Sequence, residues 1–333
     1  MIKIEDKRVS ELAGKYFGNN LKLVNPVNGG RNSRVYKINS ANRNFKLKFF
    51  RSNSENDKSR IMREKFALDL FKKFQINNVP SVFEVDIKNN LMITDWIVGD
   101  KIKIIQKSAI DAMIDFLSKL HKVYLENCED KYPKAIDACI IGSSINKQIK
   151  DRLTNFSNSF DLYPELDDFI NNTLMPLYDE IKQWSGDFSK SNNINLEKPL
   201  AIKEITLSPV DFGIHNMLSY KSNYNFIDFE FFGLDDPAKL VSDTLLHPGF
   251  TLNEDHFIYL KAELLKLYLR NKHIGIRLKA LMPLFGIKWC LIMLNPFLNN
   301  YISSDDNHDD LRKEQLDKTR IKLQFIKKTY KEF

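Results

Sequence analysis

Hydrophobic and polar positions alternate with period two in the first hundred residues, then shift to helical spacing. Residues 34–38 form a short β-type run, and in residues 45–49 the side chains of Phe45, Leu47 and Phe49 share one face. Asn42, Arg43 and Asn44 supply a turn between the two runs. Phe66, Ala67, Leu70, Phe71 and Phe74 recur at three- and four-residue steps and predict a helix over 59–75, with Pro80 after it. Residues 82–87 and 91–97 read as two more strands joined at Asn89-Asn90. The first part therefore reads strand, strand, helix, strand, strand.

Beyond residue 107 the pattern is helical. Ala112, Phe116, Leu117 and Leu120 form one apolar face, and 162–184, 254–271, 276–294 and 309–330 are further helices. Residues 201–207 and 225–229 read as short strands around a polar loop, and 185–198 as a loop. These patterns predict an α+β fold with a small sheet-rich lobe over 1–97 and a large, mostly helical lobe over 98–333.

Composition narrows the class. The chain has 333 residues, 43% hydrophobic and 28% charged, which suits a folded protein with a sizeable core. No apolar run reads as a membrane span, and the first residues lack the apolar stretch of a signal peptide. Three separated cysteines form no disulfide framework, so a cytoplasmic setting is expected. The six histidines show no zinc spacing. The net charge is +7, but the basic residues are dispersed, and the densest group, 313–331, is interleaved with acids. That favours a solvated helix over a nucleic-acid surface.

Four segments carry candidate chemistry. The first is 208–216, in which Asp211 and Asn216 stand as D-x-x-x-x-N, followed by Asp228 at the end of an apolar run. Phosphoryl transfer needs an acid to orient and deprotonate the acceptor hydroxyl, and hard oxygen ligands for magnesium. Asp211, Asn216 and Asp228 supply that set. The second is Gly29-Gly30 with Asn32, ahead of a strand in a chain of only 12 glycines. Glycines let backbone N–H groups approach phosphates, although no Walker ending follows. The third is Lys48, late in a strand, with Glu64 on the next helix. Lys46 shares its face, so periodicity does not choose between the two lysines. The fourth is 92–99, where an apolar strand feeds Gly99 and the backbone near Asp95 and Ile97 would meet adenine.

In this order the segments resemble the aminoglycoside phosphotransferase and choline kinase family of the kinase-like superfamily. The resemblance spans about residues 20–300 and includes Tyr36, Leu120-His121, the stretch from Gly233 to Pro237, and Asp243. It implies a bilobal protein-kinase-like fold and an ATP- or GTP-using, Mg²⁺-dependent enzyme that phosphorylates a small-molecule hydroxyl. In that reading Gly29, Gly30, Asn32, Lys48, Glu64, Asp95 and Ile97 bind nucleotide, Asp211 is the base, and Asn216 and Asp228 hold metal. Glu230 is a further candidate for metal-bound water or acceptor. No nucleic-acid or membrane partner is implied.

One departure stands out. The family writes His-Gly-Asp at the catalytic acid, and this chain has Pro209-Val210-Asp211. Ser208 and His215 are the candidates to brace the loop instead. The departure also motivates the alternative of a nucleotide-binding pseudokinase with a regulatory role.

Overall fold

A computed structural model describes residues 4–27, 33–50, 55–127, 132–298 and 308–333. In chain order it runs α1 (Ile4–Phe17), β1 (Leu21–Val27), β2 (Ser33–Ser40), β3 (Arg43–Phe50), α2 (Glu55–Lys73), β4 (Val82–Asp86), β5 (Leu91–Asp95), β6 (Asp100–Lys101), α3 (Lys107–Glu126) and α4 (Ser144–Phe156). There follow α5 (Pro164–Asp168), α6 (Met175–Ser191), β7 (Thr206–Ser208), β8 (Met217–Tyr220), β9 (Asn223–Phe226), β10 (Gly233–Asp235), α7 (Pro237–Leu246), α8 (Glu254–Leu267), α9 (Ile274–Met293) and α10 (His308–Thr329). The chain divides into two compact units, residues 1–104 with 215–233, and residues 105–214 with 234–333. The division read from the sequence assigned 215–233 to the helical lobe. The structure groups that segment with the sheets, because β8 pairs with β6 as well as with β9.

The first unit is built on an antiparallel sheet in the order β1-β2-β3-β5-β4. Val9, Ala13 and Phe17 of α1 pack on Tyr36, Ile38, Phe45 and Leu47 to close one face of this sheet. Period-two alternation thus sets which β3 side chains enter this core and which face away. The β2–β3 turn is Ala41-Asn42, one residue earlier than the sequence suggested. Both residues have positive φ, 47° and 63°, as a two-residue hairpin loop requires to match strand twist. Lys221-Ser222 repeats the device between β8 and β9, with φ of 47° and 64°. In place of the expected strand over 225–229, the chain forms this hairpin and leaves 227–229 irregular.

The second unit is helical around α9. This helix is buried along most of its length, and Leu281, Leu284, Phe285, Ile287 and Leu291 join the core with residues from α4, α6 and α10. The stretch 274–297 is long and apolar enough to cross a membrane, but 83% of its most apolar window is buried inside the protein. It is the core helix of this unit. Asp236 caps α7, its Oδ1 accepting the Ala238 N–H at 2.8 Å with Pro237 in the first turn. The helix expected to stop near 184 runs on to Ser191, with Ser185 and Ser189 buried on its inner face. The loop expected over 185–198 therefore begins at Asn192.

Candidate functional site

In the first unit, β3 and α2 place a lysine and a glutamate face to face. Lys48 is 2% exposed and Glu64 is 3% exposed. Lys48 Nζ donates to Glu64 Oε2 and to Asp228 Oδ1, both at 2.7 Å, and stands 2.9 Å from Glu230 Oε2. The geometry decides between the two lysines: Lys48 is buried among the acids, and Lys46 is only half-buried.

Electrostatics keeps the Lys48 ammonium charged in this cluster. Burial works to lower the Lys48 pKa, but Asp228, Glu64 and Glu230 outweigh it and hold the ammonium well above its ordinary range. Glu230 moves up: burial raises it, Lys48 opposes, and the charges of Asp228 and Glu64 add to the rise. Asp228 has φ of 70°, a left-handed backbone that an L-residue holds only at a cost. Asn216 ends a short 3₁₀ turn, and its carbonyl accepts the Ile227 N–H at 3.0 Å, tying it beside Asp228 in the backbone. Glu64, Asp228 and Glu230 each offer a carboxylate oxygen within 4.8 Å of the others. Three acids around one lysine leave excess negative charge on hard oxygen donors, a set that fits magnesium.

Gly29, Gly30 and Asn32 fall outside the described residues. Asp95 ends β5 and pairs with Arg43 at 3.2 Å. Its N–H donates to Ser81 O, and the Trp96 N–H donates to Asn44 O. Ile97 is half-buried in the irregular stretch after β5, because the strand expected to run to 97 ends two residues earlier, at Asp95.

In the second unit, Asp211 follows a tight turn. The Asp211 N–H donates to Pro209 O at 3.0 Å around Val210, whose φ is 68°. Ser208 Oγ accepts the Val210 N–H at 3.1 Å, so one of the two expected braces is in place. Phe212 is buried and stacks on Phe116 of α3, with centroids 5.5 Å apart. Asp211 Oδ1 stands 2.8 Å from His247 Nε2. His247 has no signal in the sequence, since nothing in the pattern relates it to a loop 36 residues earlier.

The same unit holds a second buried ion cluster. Lys239 Nζ is 2.9 Å from both Asp235 Oδ2 and Asp243 Oδ2, and Arg277 Nε donates to Asp236 Oδ2 at 2.6 Å. Asp235 Oδ1 also accepts the Cys139 N–H. These are the G-x-x-D-P acids and the downstream Asp of the sequence reading, and here they anchor α7.

No family model matches the sequence, and neither does any curated protein. Solved structures do share the fold. The chain is similar to a choline/ethanolamine kinase family protein from Mesorhizobium loti, with TM-score 0.61, 17% identity, and coverage of 98% of this chain and 99% of the other. Choline kinase LicA from Streptococcus pneumoniae gives 0.59 at 15% identity, covering 96% and 99%. The streptomycin–ATP–APH(2″)-IIa ternary complex gives 0.58 at 15% identity over 100% of both chains. The fold is therefore kinase-like, with a sheet-rich N-terminal lobe and a helical C-terminal lobe, as the motif order implied.

Proposed function

We propose that this chain is an ATP- and magnesium-dependent phosphotransferase that moves a γ-phosphoryl group to a hydroxyl of a small molecule. The observation that carries this reading is the buried ammonium of Lys48, held at 2.7 Å by both Glu64 and Asp228. A lysine fixed in this way is a preformed ligand for phosphate oxygens. Proteins of the same fold are named as choline kinases, and one was solved with streptomycin and ATP.

Each residue then has a role. Lys48 takes the phosphates and Glu64 aligns it. Asp228 and Asn216 hold magnesium, with Glu230 as an added acid beside them. When bound, the ion neutralises charge on the phosphates. Adenine contacts fall to the backbone near Ile97, since the Asp95 and Trp96 N–H groups are already engaged. Asp211 orients the acceptor hydroxyl and accepts its proton as the oxygen–phosphorus bond forms and ADP departs. Sugars, amino sugars and amino alcohols are the acceptor classes.

The test is ATP consumption with magnesium across such acceptors, with Asp211→Asn alongside. Acceptor-dependent turnover that falls by roughly 100-fold or more in the variant is expected. A protein that binds neither nucleotide nor magnesium would overturn the reading. Binding without turnover would instead favour the pseudokinase role suggested by Pro209.

A further inference from the structure

We infer that His247 is the positioning residue for Asp211, taking the part that a histidine at position 209 would otherwise play. The inference rests on Asp211 being the base. His247 directly follows α7 and has an extended backbone, φ −60° and ψ 128°, which the following Pro248 favours. The residue is 8% exposed.

The hydrogen bonds on its two ring nitrogens fix its tautomer. The Gly249 N–H donates to His247 Nδ1 at 2.9 Å. An amide N–H can only donate, so Nδ1 carries the lone pair and the ring proton sits on Nε2. Nε2 stands 2.8 Å from Asp211 Oδ1 and therefore donates to the carboxylate. The donor points one way, and it holds the rotation of the carboxyl group.

The ring is itself clamped. Phe250 lies parallel to it with centroids 5.7 Å apart, and Trp289 meets it edge-on at 4.6 Å. Trp289 Nε1 in turn donates to Asp243 Oδ1 at 3.0 Å, and Asp243 is paired with Lys239. A chain of side-chain contacts thus runs from the α7 ion cluster to Asp211. His247 holds the base without relaying its proton, because protonating Nδ1 would break the bond from Gly249.

The proposal predicts a division between kcat and KM. His247→Ala should lower kcat by roughly 10- to 100-fold, the scale of losing alignment at a reacting group, with KM for ATP unchanged. His247→Gln places an amide N–H near the position of Nε2 and should restore most of that loss. Turnover would be read as Mg·ATP consumption, with water and with each acceptor. His247→Ala matching wild type, or His247→Gln no better than alanine, would overturn the inference. Asp211→Asn, measured in parallel, separates the two levels. If it keeps wild-type turnover, the reading of Asp211 as base fails; if it is inactive while His247→Ala is normal, only the role of His247 fails. Long-range ¹H–¹⁵N spectra of histidine-labelled protein, assigned with His247→Gln, should show the Nε2–H tautomer. An Nδ1–H tautomer would overturn the proposal even if no turnover were detected.

Discussion

Lys48 and Asp228 lie 180 residues apart in the chain and 2.7 Å apart in the fold. Lys48 is also paired with Glu64 and Glu230, both of which are buried. Lys48→Met should therefore act on stability as well as on nucleotide binding. Removing one member of a buried ionic group leaves the others uncompensated, at a cost of about 3–5 kcal/mol. The urea midpoint should fall accordingly, and ATP affinity should fall with it. An unchanged midpoint would mean that Glu64 and Glu230 find other compensation.

The parts of this site that were readable in sequence are those where chemistry restricts residue type. A strand lysine with a helix glutamate, and a D-x-x-x-x-N with a later Asp, leave few candidates, and the structure brings Lys48, Glu64 and Asp228 together. What could not be read depended on contacts distant in sequence or on backbone geometry. The strand β8 was missed because its residues show no alternation and it is held by pairing with β6, at 100–101. Lys48 could not be told from Lys46 by period, because burial, rather than face, separates them. The positive φ of Val210 was invisible as well, since a β-branched residue rarely takes that conformation. His247 was out of reach because its partner lies on a loop that only the folded chain brings near.

Lys239 allows a test of the cluster under α7. It is 1% exposed and sits 2.9 Å from two aspartates, whose charges hold it well above the usual lysine range although burial works to lower it. Lys239→Met should destabilise by about 3–5 kcal/mol, because Asp235 and Asp243 stay buried without their cation. Adding Asp243→Asn to that variant should recover part of the loss, by removing one of the unpaired charges. A double-mutant cycle in urea measures this coupling, and strict additivity would refute it.

Gly213 and Phe250 give a prediction about shape. A Cβ on residue 213 would stand 2.1 Å from Phe250 Cε1 and 2.8 Å from Cζ. Gly213→Ala must push that ring away, and the ring is the parallel neighbour of His247. Strain from such overpacking is about 1–3 kcal/mol. The unfolding free energy should fall by about that amount, and turnover should fall more than stability alone explains. Gly213→Ala with Phe250→Leu should recover stability, since the clashing ring atoms are gone. If the single variant is as stable as wild type, the close packing of this loop is wrong.

The acid response of the fold should be carried in part by His121, on α3. It is 6% exposed, its Nδ1 is 3.2 Å from Thr206 Oγ1, and Tyr268 meets it edge-on at 4.9 Å. Burial, with a smaller contribution from the Arg270 charge, pushes its pKa down from 6.5 to about 4. Between those values the unfolded chain binds a proton that the folded chain does not, so stability rises with pH across this window and is lost as pH falls through it. Well above pH 6.5 the histidine is neutral in both states and contributes no slope. From pH 7 to pH 4.5 the loss attributable to His121 is about 2 kcal/mol. His121→Gln removes the titrating group. Unfolding free energies of the two proteins, measured in urea across this range, should therefore converge or cross as pH falls. Parallel curves would show that His121 is protonated as readily in the folded protein as in the unfolded chain.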